Sequence, residues 1–395
     1  MSWEAEVQEL GEVCSFQRGL TYAKGDEVEL SDNVVLRANN ISMATSALDF
    51  AELKYIKDSI AIPQSKLVRR DTLMICTASG SKSHLGKVAY VDDDYGYAFG
   101  GFMGLLVPER EVHGRFLYYA MLSDDYKEFI SRLSDGVNIN NLKWDDLKHF
   151  NLPVPPLPEQ QRIASKLDAA FAALHEAQGH IECNRANARE LFESYLNGVF
   201  EGLANDENCV HALGDEVGFQ GGSQPPKSEF IYKPQEGYVR FLQIRDFKRD
   251  DKATYIPLSR KNRTCEEQDI MLGRYGASVG NVLTGRAGAY NVALIKTIPS
   301  GTLDPGYFYF YLLSRFFQVP LLNVAARSAQ DGFSKEDISG FLLPLPNLNK
   351  QKAIAAKLKE LQWQASTLET TYQQKLAELS ALKQSLLGAA FTGQL

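Results

Sequence analysis

Two stretches decide the fold: "PPLPEQQRIASKL", Pro155 to Leu167, and "PNLNKQKAIAAKL", Pro346 to Leu358. Each is a proline-punctuated lead-in followed by Gln, a basic residue, Ile-Ala and Lys-Leu, and Pro155 and Pro346 stand 191 positions apart. That offset holds further out. "FLYYAMLS" (Phe116 to Ser123) matches "YFYFYLLS" (Tyr307 to Ser314), and "LNGVFEG" (Leu196 to Gly202) matches "LGAAFTG" (Leu387 to Gly393). Earlier in each half the offset drifts, as loops of unequal length make it do. "LGEVCSFQRG" (Leu10 to Gly19) answers "LGDEVGFQGG" (Leu213 to Gly222), and "DTLMI" (Asp71 to Ile75) answers "DIMLG" (Asp269 to Gly273). The chain is a duplicated unit, and repeats of this length are domains rather than solenoid turns.

Each copy has two textures. Residues 1–152 and 205–343 mix short strand-like runs such as "KVAYV" and "VALIKTI" with Gly-rich turns and occasional helices. Residues 153–204 and 344–395 read as long helices. In the first, Ile163, Leu167, Ala170, Leu174, Ala177, Ile181, Ala188, Leu191 and Tyr195 step by four and three with one polar gap at Asn184, which is a coiled-coil seam. The second repeats it at Ile354, Leu358, Leu361, Ala365, Leu368, Tyr372, Leu379, Leu382 and Leu386, with Lys375 at the gap. A two-fold relation between equal copies makes the helices antiparallel. The predicted fold class is α+β: two pseudo-repeated globular α/β domains separated by two long antiparallel coiled-coil helices. The rod would measure about 65 Å, from roughly 45 residues at 1.5 Å each.

Composition fits a globular protein, with 44% hydrophobic and 23% charged residues among 395. The start has no basic and apolar leader, and the longest apolar run, Tyr307 to Leu313, is too short to span a bilayer, so a soluble, cytoplasmic protein is expected. Cys14, Cys76, Cys183, Cys209 and Cys265 stand singly and in odd number, which suits reduced thiols and no zinc site. The six His are scattered, so no metal site is expected.

The paired lead-ins, the two globular parts and the terminal "LLGAAFTGQL" (Leu386 to Leu395) resemble the specificity subunits of type I restriction-modification systems over the whole chain. The resemblance implies a non-catalytic reader of double-stranded DNA. Its two target-recognition domains each read half of a split sequence, and its helices dock two methyltransferase subunits. Motor-nuclease restriction subunits would complete the enzyme, and S-adenosylmethionine, ATP and Mg²⁺ would belong to those partners, with no cofactor in this chain. The second lead-in departs from the pattern: Asn347 and Asn349 replace Pro156 and Pro158, and Ala353 replaces Arg162. Docking on the two helices is therefore open to being unequal.

The residues themselves carry no catalytic motif. No Asn/Asp-Pro-Pro-aromatic turn is present to grip a flipped base. "GSKSHLGKV" (Gly80 to Val88) has five residues between its glycines and Val after the Lys, which a phosphate loop does not allow. Asp32 with Glu52 and Lys54 could be imagined around a nuclease metal, but such triplets are common on solvated surfaces.

The candidate DNA-reading residues lie where the copies diverge most, between matched glycines. The first copy offers Ser81, Lys82, Ser83 and His84, and the second Arg274, Tyr275 and Ser278. Arg and Lys suit guanine O6 and N7, and Ser reads several edges, although these cations could equally touch phosphates. Asn138 and Asn140, and Arg327 and Gln330, form a second tier, since Asn and Gln can grip adenine with two bonds. Arg37 with Asn40, and Gln243 with Arg245, could serve instead. The aromatic run Tyr307 to Phe317 reads as buried helix.

Charge sets a constraint. There are 42 basic and 49 acidic residues, a net of −7, and no segment carries the basic stripe of a protein that neutralises many phosphates alone. Partners would then supply much of the phosphate grip. The alternatives are a coiled-coil scaffold whose domains bind peptides, or a subunit of a related restriction enzyme with its own nuclease.

Overall fold

The computed structural model describes residues 6–135, 141–206, 209–327 and 332–395. Residues 1–181 with 374–395 pack as one unit, and residues 182–373 as another. In the first unit Cys14–Arg18, Met103–Pro108, Thr72–Cys76 and Val88–Val91 form an antiparallel sheet in that order. Thr72–Cys76 is buried at all five positions, and after Thr72 its sequence is a continuous apolar run without the alternation of a one-sided strand. A second sheet runs Glu27–Val28, Lys54–Ile56, Asn33–Leu36, Ala98–Phe99, its last pair parallel. Glu6–Glu9 pairs with Asn151–Val154 and closes the globular part just ahead of the first long helix.

The second unit repeats this order. Val217–Gly221, Leu294–Pro299, Met271–Gly273 and Val282–Leu283 make the antiparallel sheet. Tyr255–Pro257, Tyr238–Leu242, Gly288–Tyr290 and Thr264–Cys265 make the mixed one, and Val210–Ala212 pairs with Leu342–Pro344. The edge strands differ only in extent: Glu27–Val28 has its counterpart in the single bridge Ile231 to Tyr255, and Thr264–Cys265 in the bridge Leu67 to Ala98.

The long helices are Leu157–Ala204 and Leu348–Phe391, of 48 and 44 residues. They begin within a few residues of the strands that end at Val154 and Pro344, where the prolines interrupt pairing. By packing they are not separate domains. Ile163 and Leu167 of the first helix share a buried core with Leu387 and Ala390 of the second, beneath Phe116, Leu117 and Tyr119. In the other unit Leu196 and Phe200 share a core with Ala355 and Leu358, beneath Tyr307, Phe308 and Tyr311. In each unit the start of one helix meets the end of the other, so the two run in opposite senses there. Arg162 and Lys166 both donate to Leu395 O at 3.2 Å.

The repeated lead-in has a specific task. Gln160 is buried; its Oε1 accepts from His113 N at 2.8 Å, and its Nε2 donates to Glu111 O at 3.0 Å and Pro155 O at 2.8 Å. Gln351 is buried likewise, accepting from Asp304 N at 2.8 Å and donating to Thr302 O at 3.0 Å and Pro346 O at 2.8 Å. The motif occurs twice because each copy uses it to fasten the first turn of its helix to the loop that precedes the buried aromatic helix. That helix is Gly114–Ala120 in the first unit and Pro305–Leu313 in the second.

The seam departs from the strict three-four spacing. Ile163, Leu167 and Leu358 are buried, and Leu174, Ile181, Ile354, Leu361, Tyr372, Leu379 and Leu386 are half-buried. Leu191 and Tyr195 are 71% and 44% exposed, and Leu368 and Leu382 are 43% and 47% exposed, so these four are not seam residues. Past Ala188 the covered face of the first helix runs instead through Phe192, Leu196 and Phe200, in steps of four. An α-helix has 3.6 residues per turn, so a heptad stripe drifts, and here the drift ends on a globular core. Phe192 meets Phe310 and Phe200 meets Tyr307, with ring centroids 6.4 and 5.2 Å apart. Among the described residues no helix is long and apolar enough to cross a membrane. The five cysteines are unpaired.

Candidate nucleic-acid interface

The two units build one backbone frame twice. Gly19 N donates to Met103 O at 3.2 Å, Leu20 N to Phe99 O at 2.7 Å and Gly100 N to Leu36 O at 2.8 Å. In the second unit Gly222 N donates to Leu294 O at 3.2 Å, Ser223 N to Tyr290 O at 3.1 Å and Asn291 N to Leu242 O at 3.1 Å. A Cβ on Gly19 would stand 2.0 Å from Gly100 O, and one on Gly222 2.0 Å from Asn291 O, so only glycine lets these strands approach.

The frame continues into a short 3₁₀ turn after the strand. Arg37 N donates to Asn40 Oδ1 at 2.8 Å, and Gln243 N to Asp246 Oδ2 at 2.7 Å. Asn40 is 1% exposed and its Nδ2 donates to Asp49 O and Glu52 O at 2.8 and 2.9 Å. Its amide is therefore spent on the fold, and Asn40 is corrected from a base-reading candidate to a turn-holding residue. The exposed residue of that turn is Asn39, which the sequence reading passed over. In the second unit Asp246 is buried against Arg240 at 3.2 Å, and Arg245 is exposed.

Above the frame of the first unit lies a crevice of about 700 Å³, lined among others by Tyr22, Lys24, Glu27, Arg37, Asn39 and Phe102. Phe102 is 72% exposed, while its carbonyl accepts from Thr77 N and Ala78 N at 3.0 and 3.1 Å. A large aromatic held out on a pinned backbone was legible as the lone Phe in "GGFMG", Gly100 to Gly104, but periodicity gave no reason to single it out. The Lys54 ammonium, 2.6 Å from Glu27, holds that carboxyl below its usual range. Burial, then the Glu27 charge, pushes the Tyr22 hydroxyl up.

The candidate loops open beside this frame. Ser81 and Ser83 are exposed with hydroxyls 2.9 Å apart, and His84 is half-buried, in the 3₁₀ turn Lys82–His84. The side chain of Lys82, and Asn138, Asn140 and Gln330, lie outside the described residues. The chain resumes at Asn141, which bridges to Ala78, so the ends of both loops in the first unit meet. The second unit does the same, with Gly332 bridged to Tyr275. There Arg274 Nε donates to Phe333 O at 2.7 Å and its guanidinium lies 5.1 Å from the Tyr275 ring centre. Tyr275 and Ser278 are half-buried, and Arg327 is exposed.

Several nearby cations are committed to the protein. Lys87 donates to Ile41 O at 2.8 Å, and burial lowers its pKa. Arg240 pairs with Asp250 at 2.9 Å as well as with Asp246, and Arg286 pairs with Asp250 at 2.9 Å. The imagined nuclease triplet is not assembled, since Lys54 pairs with Glu27 and Glu52 accepts weakly from Asn39. Among the described residues no group of three or more His, Cys, Asp or Glu could hold a metal ion.

Two copies of one α+β domain that keep a common frame and vary the side chains upon it define a duplicated recognition protein. Sequence comparison then gives the particular family. A profile of the type I restriction modification DNA specificity domain matches residues 3–182 and again 209–378, and the chain belongs to that family. It is 28% identical over 408 residues to the type I restriction enzyme EcoKI specificity subunit of Escherichia coli K12, covering 97% of this chain and 87% of that one. The StySPI specificity subunit of Salmonella potsdam is 26% identical over 416 residues, with the same coverage. The HsdS subunit from Thermoanaerobacter tengcongensis superposes with a TM-score of 0.64 at 21% identity, over 99% of this chain and 97% of that one. A chain from a structure solved for complex assembly and conformational transition of the type I R-M system reaches 0.81 at 20% identity, over 100% and 98%. At such identities the structural likeness carries the fold.

Proposed function

We propose that this chain is the non-catalytic DNA-recognition subunit of a type I restriction-modification system, working in the cytoplasm. Each globular part reads one portion of a split, non-palindromic duplex target, and the long helices dock two methyltransferase subunits, which restriction subunits join. S-adenosylmethionine, ATP and Mg²⁺ are assigned to those partners. The observation that carries the reading is the frame built twice with different side chains on it, within two matches to a DNA specificity domain. A shared frame supports the same mode of binding in both halves, and unlike side chains support unlike half-sites.

The acidic balance supports a division of labour in which this chain chooses bases while its partners hold phosphates. Selection from a random duplex library, with the chain alone and with its methyltransferase subunits, should return a two-part motif with a fixed gap. Salt titration should give a steeper slope for the assembly than for the chain alone. A palindromic or single-part motif, or DNA cleavage by the purified chain with metal alone, would overturn the assignment.

A further inference from the structure

We propose that the bases of the first half-site are chosen in the crevice of the first unit by Arg37, Asn39 and Phe102, and those of the second half-site at the equivalent positions by Gln243 and Arg245. The ligand is the exposed base edges of duplex DNA, so the inference rests on the DNA-reading assignment above and names the residues that set its specificity.

Four observations converge on these positions. First, the same backbone hydrogen bonds and the same cap bond recur beneath them in both units, from the Gly19 and Gly222 contacts to the 3₁₀ turns. Positions on such a frame can vary without disturbing the fold. Second, they vary while the neighbouring positions keep one role, buried beneath the turn. Leu36 and Leu242 are both buried, as are Asn40 and Asp246, whereas Arg37 faces Gln243 and Asn39 faces Arg245 in the alignment of the two turns. Arg, Asn and Gln are the side chains that grip base edges with two parallel hydrogen bonds. Third, Arg37 lines the crevice with a buried Nε that has no hydrogen-bond partner among the described residues, and a buried donor left unmatched is costly unless water or a ligand completes it. Fourth, Phe102 projects at the same crevice, 72% exposed, where the second unit has the small Ala293. An apolar ring there suits a thymine methyl group. Arg274 of the candidate loop is tied to Phe333 O at 2.7 Å and Ser81 and Ser83 lie 2.9 Å apart, whereas the contacts of Asn39 to Glu52 and of Arg245 to Lys252 O are longer, at 3.4 and 3.5 Å.

The test is selection from a random duplex library with the full chain and its single variants. Arg37→Ala, Asn39→Ala and Phe102→Ala should each relax base choice in one half-site only. Gln243→Ala and Arg245→Ala should relax the other, each by roughly 5- to 150-fold at the affected base pair. Arg37→Lys keeps the charge but not the fork, so it should lose the same discrimination while keeping overall affinity, which guards against a folding defect in the alanine variant. Variants that fold and select unchanged bases in both half-sites would overturn the crevice, as would equal weakening on every sequence, the mark of a phosphate contact. A wild-type chain that selects no sequence would overturn the DNA-reading assignment and this inference together, whereas an unchanged motif in the variants overturns the inference alone.

Discussion

Gln160 and Gln351 each hold three backbone groups from two segments. Replacing either with Ala leaves buried N–H and C=O groups unmatched, at a cost of about 2 to 4 kcal/mol for the several bonds lost. Denaturant unfolding of Gln160→Ala and Gln351→Ala should show this loss separately, each in its own unit. Glu216 offers a pH-dependent counterpart. Its Oε2 accepts from Thr302 and Ser300 hydroxyls at 2.7 and 2.8 Å, which, with His211 beside it, lowers its pKa. A carboxyl depressed in the folded state contributes stability that is present above its unfolded value, near about 4.3, and is lost as pH falls through the folded value. Wild-type stability should therefore fall more steeply below about pH 4.3 than that of Glu216→Gln, and parallel pH profiles for the two would refute it.

The long helices show which face of an element is covered. Phe200 sits fully buried against Tyr307 and Tyr311, and Leu191, nine residues earlier on the same helix, is 71% exposed. Phe200→Ala should destabilise the second unit by about 3 to 5 kcal/mol through the cavity it leaves. Leu191→Ala should stay within about 0.5 kcal/mol, since an exposed side chain loses little burial. Equal effects in thermal unfolding would restore the strict heptad seam. The first helix is anchored at its other end by Asp168, which accepts from Arg115 Nε at 2.7 Å and from the Tyr119 hydroxyl at 2.5 Å. The second helix has Lys359 at the matching position, so the two copies fasten their helices differently beyond the shared Gln.

At the scale of the whole chain, both helices contribute to both packing units, which divide close to Ile181 and Gln373. Inserting one heptad after Ile181 and one after Tyr372 adds about 10.5 Å to each helix, equivalent to roughly 3 base pairs of duplex. If the helices set the gap in the proposed split target, binding to the original target should collapse. Three heptads in each, about 31 Å and close to one helical turn of DNA, should recover binding on a gap about 9 or 10 base pairs longer. Selection from libraries of variable gap measures this, and an unchanged preferred gap in both variants would make the helices mere tethers. The sequence by itself determined the duplication, because the two copies can be matched letter by letter at a near-constant offset, and the helix starts and the burial of Ile163, Leu167 and Leu358, because prolines and apolar spacing lie within a few residues of one another. Only the tertiary structure decided that Phe192, Leu196 and Phe200 displace Leu191 and Tyr195, that Asn40 is spent on the fold while Asn39 and Phe102 stand exposed, and that Arg274 is held by Phe333 O, 59 residues away. The helix face and the Arg274 contact depend on partners brought in from distant segments, and Asn40 on carbonyls nine and twelve residues on; a helix or turn cannot signal in its own spacing which side such a partner will cover or leave open.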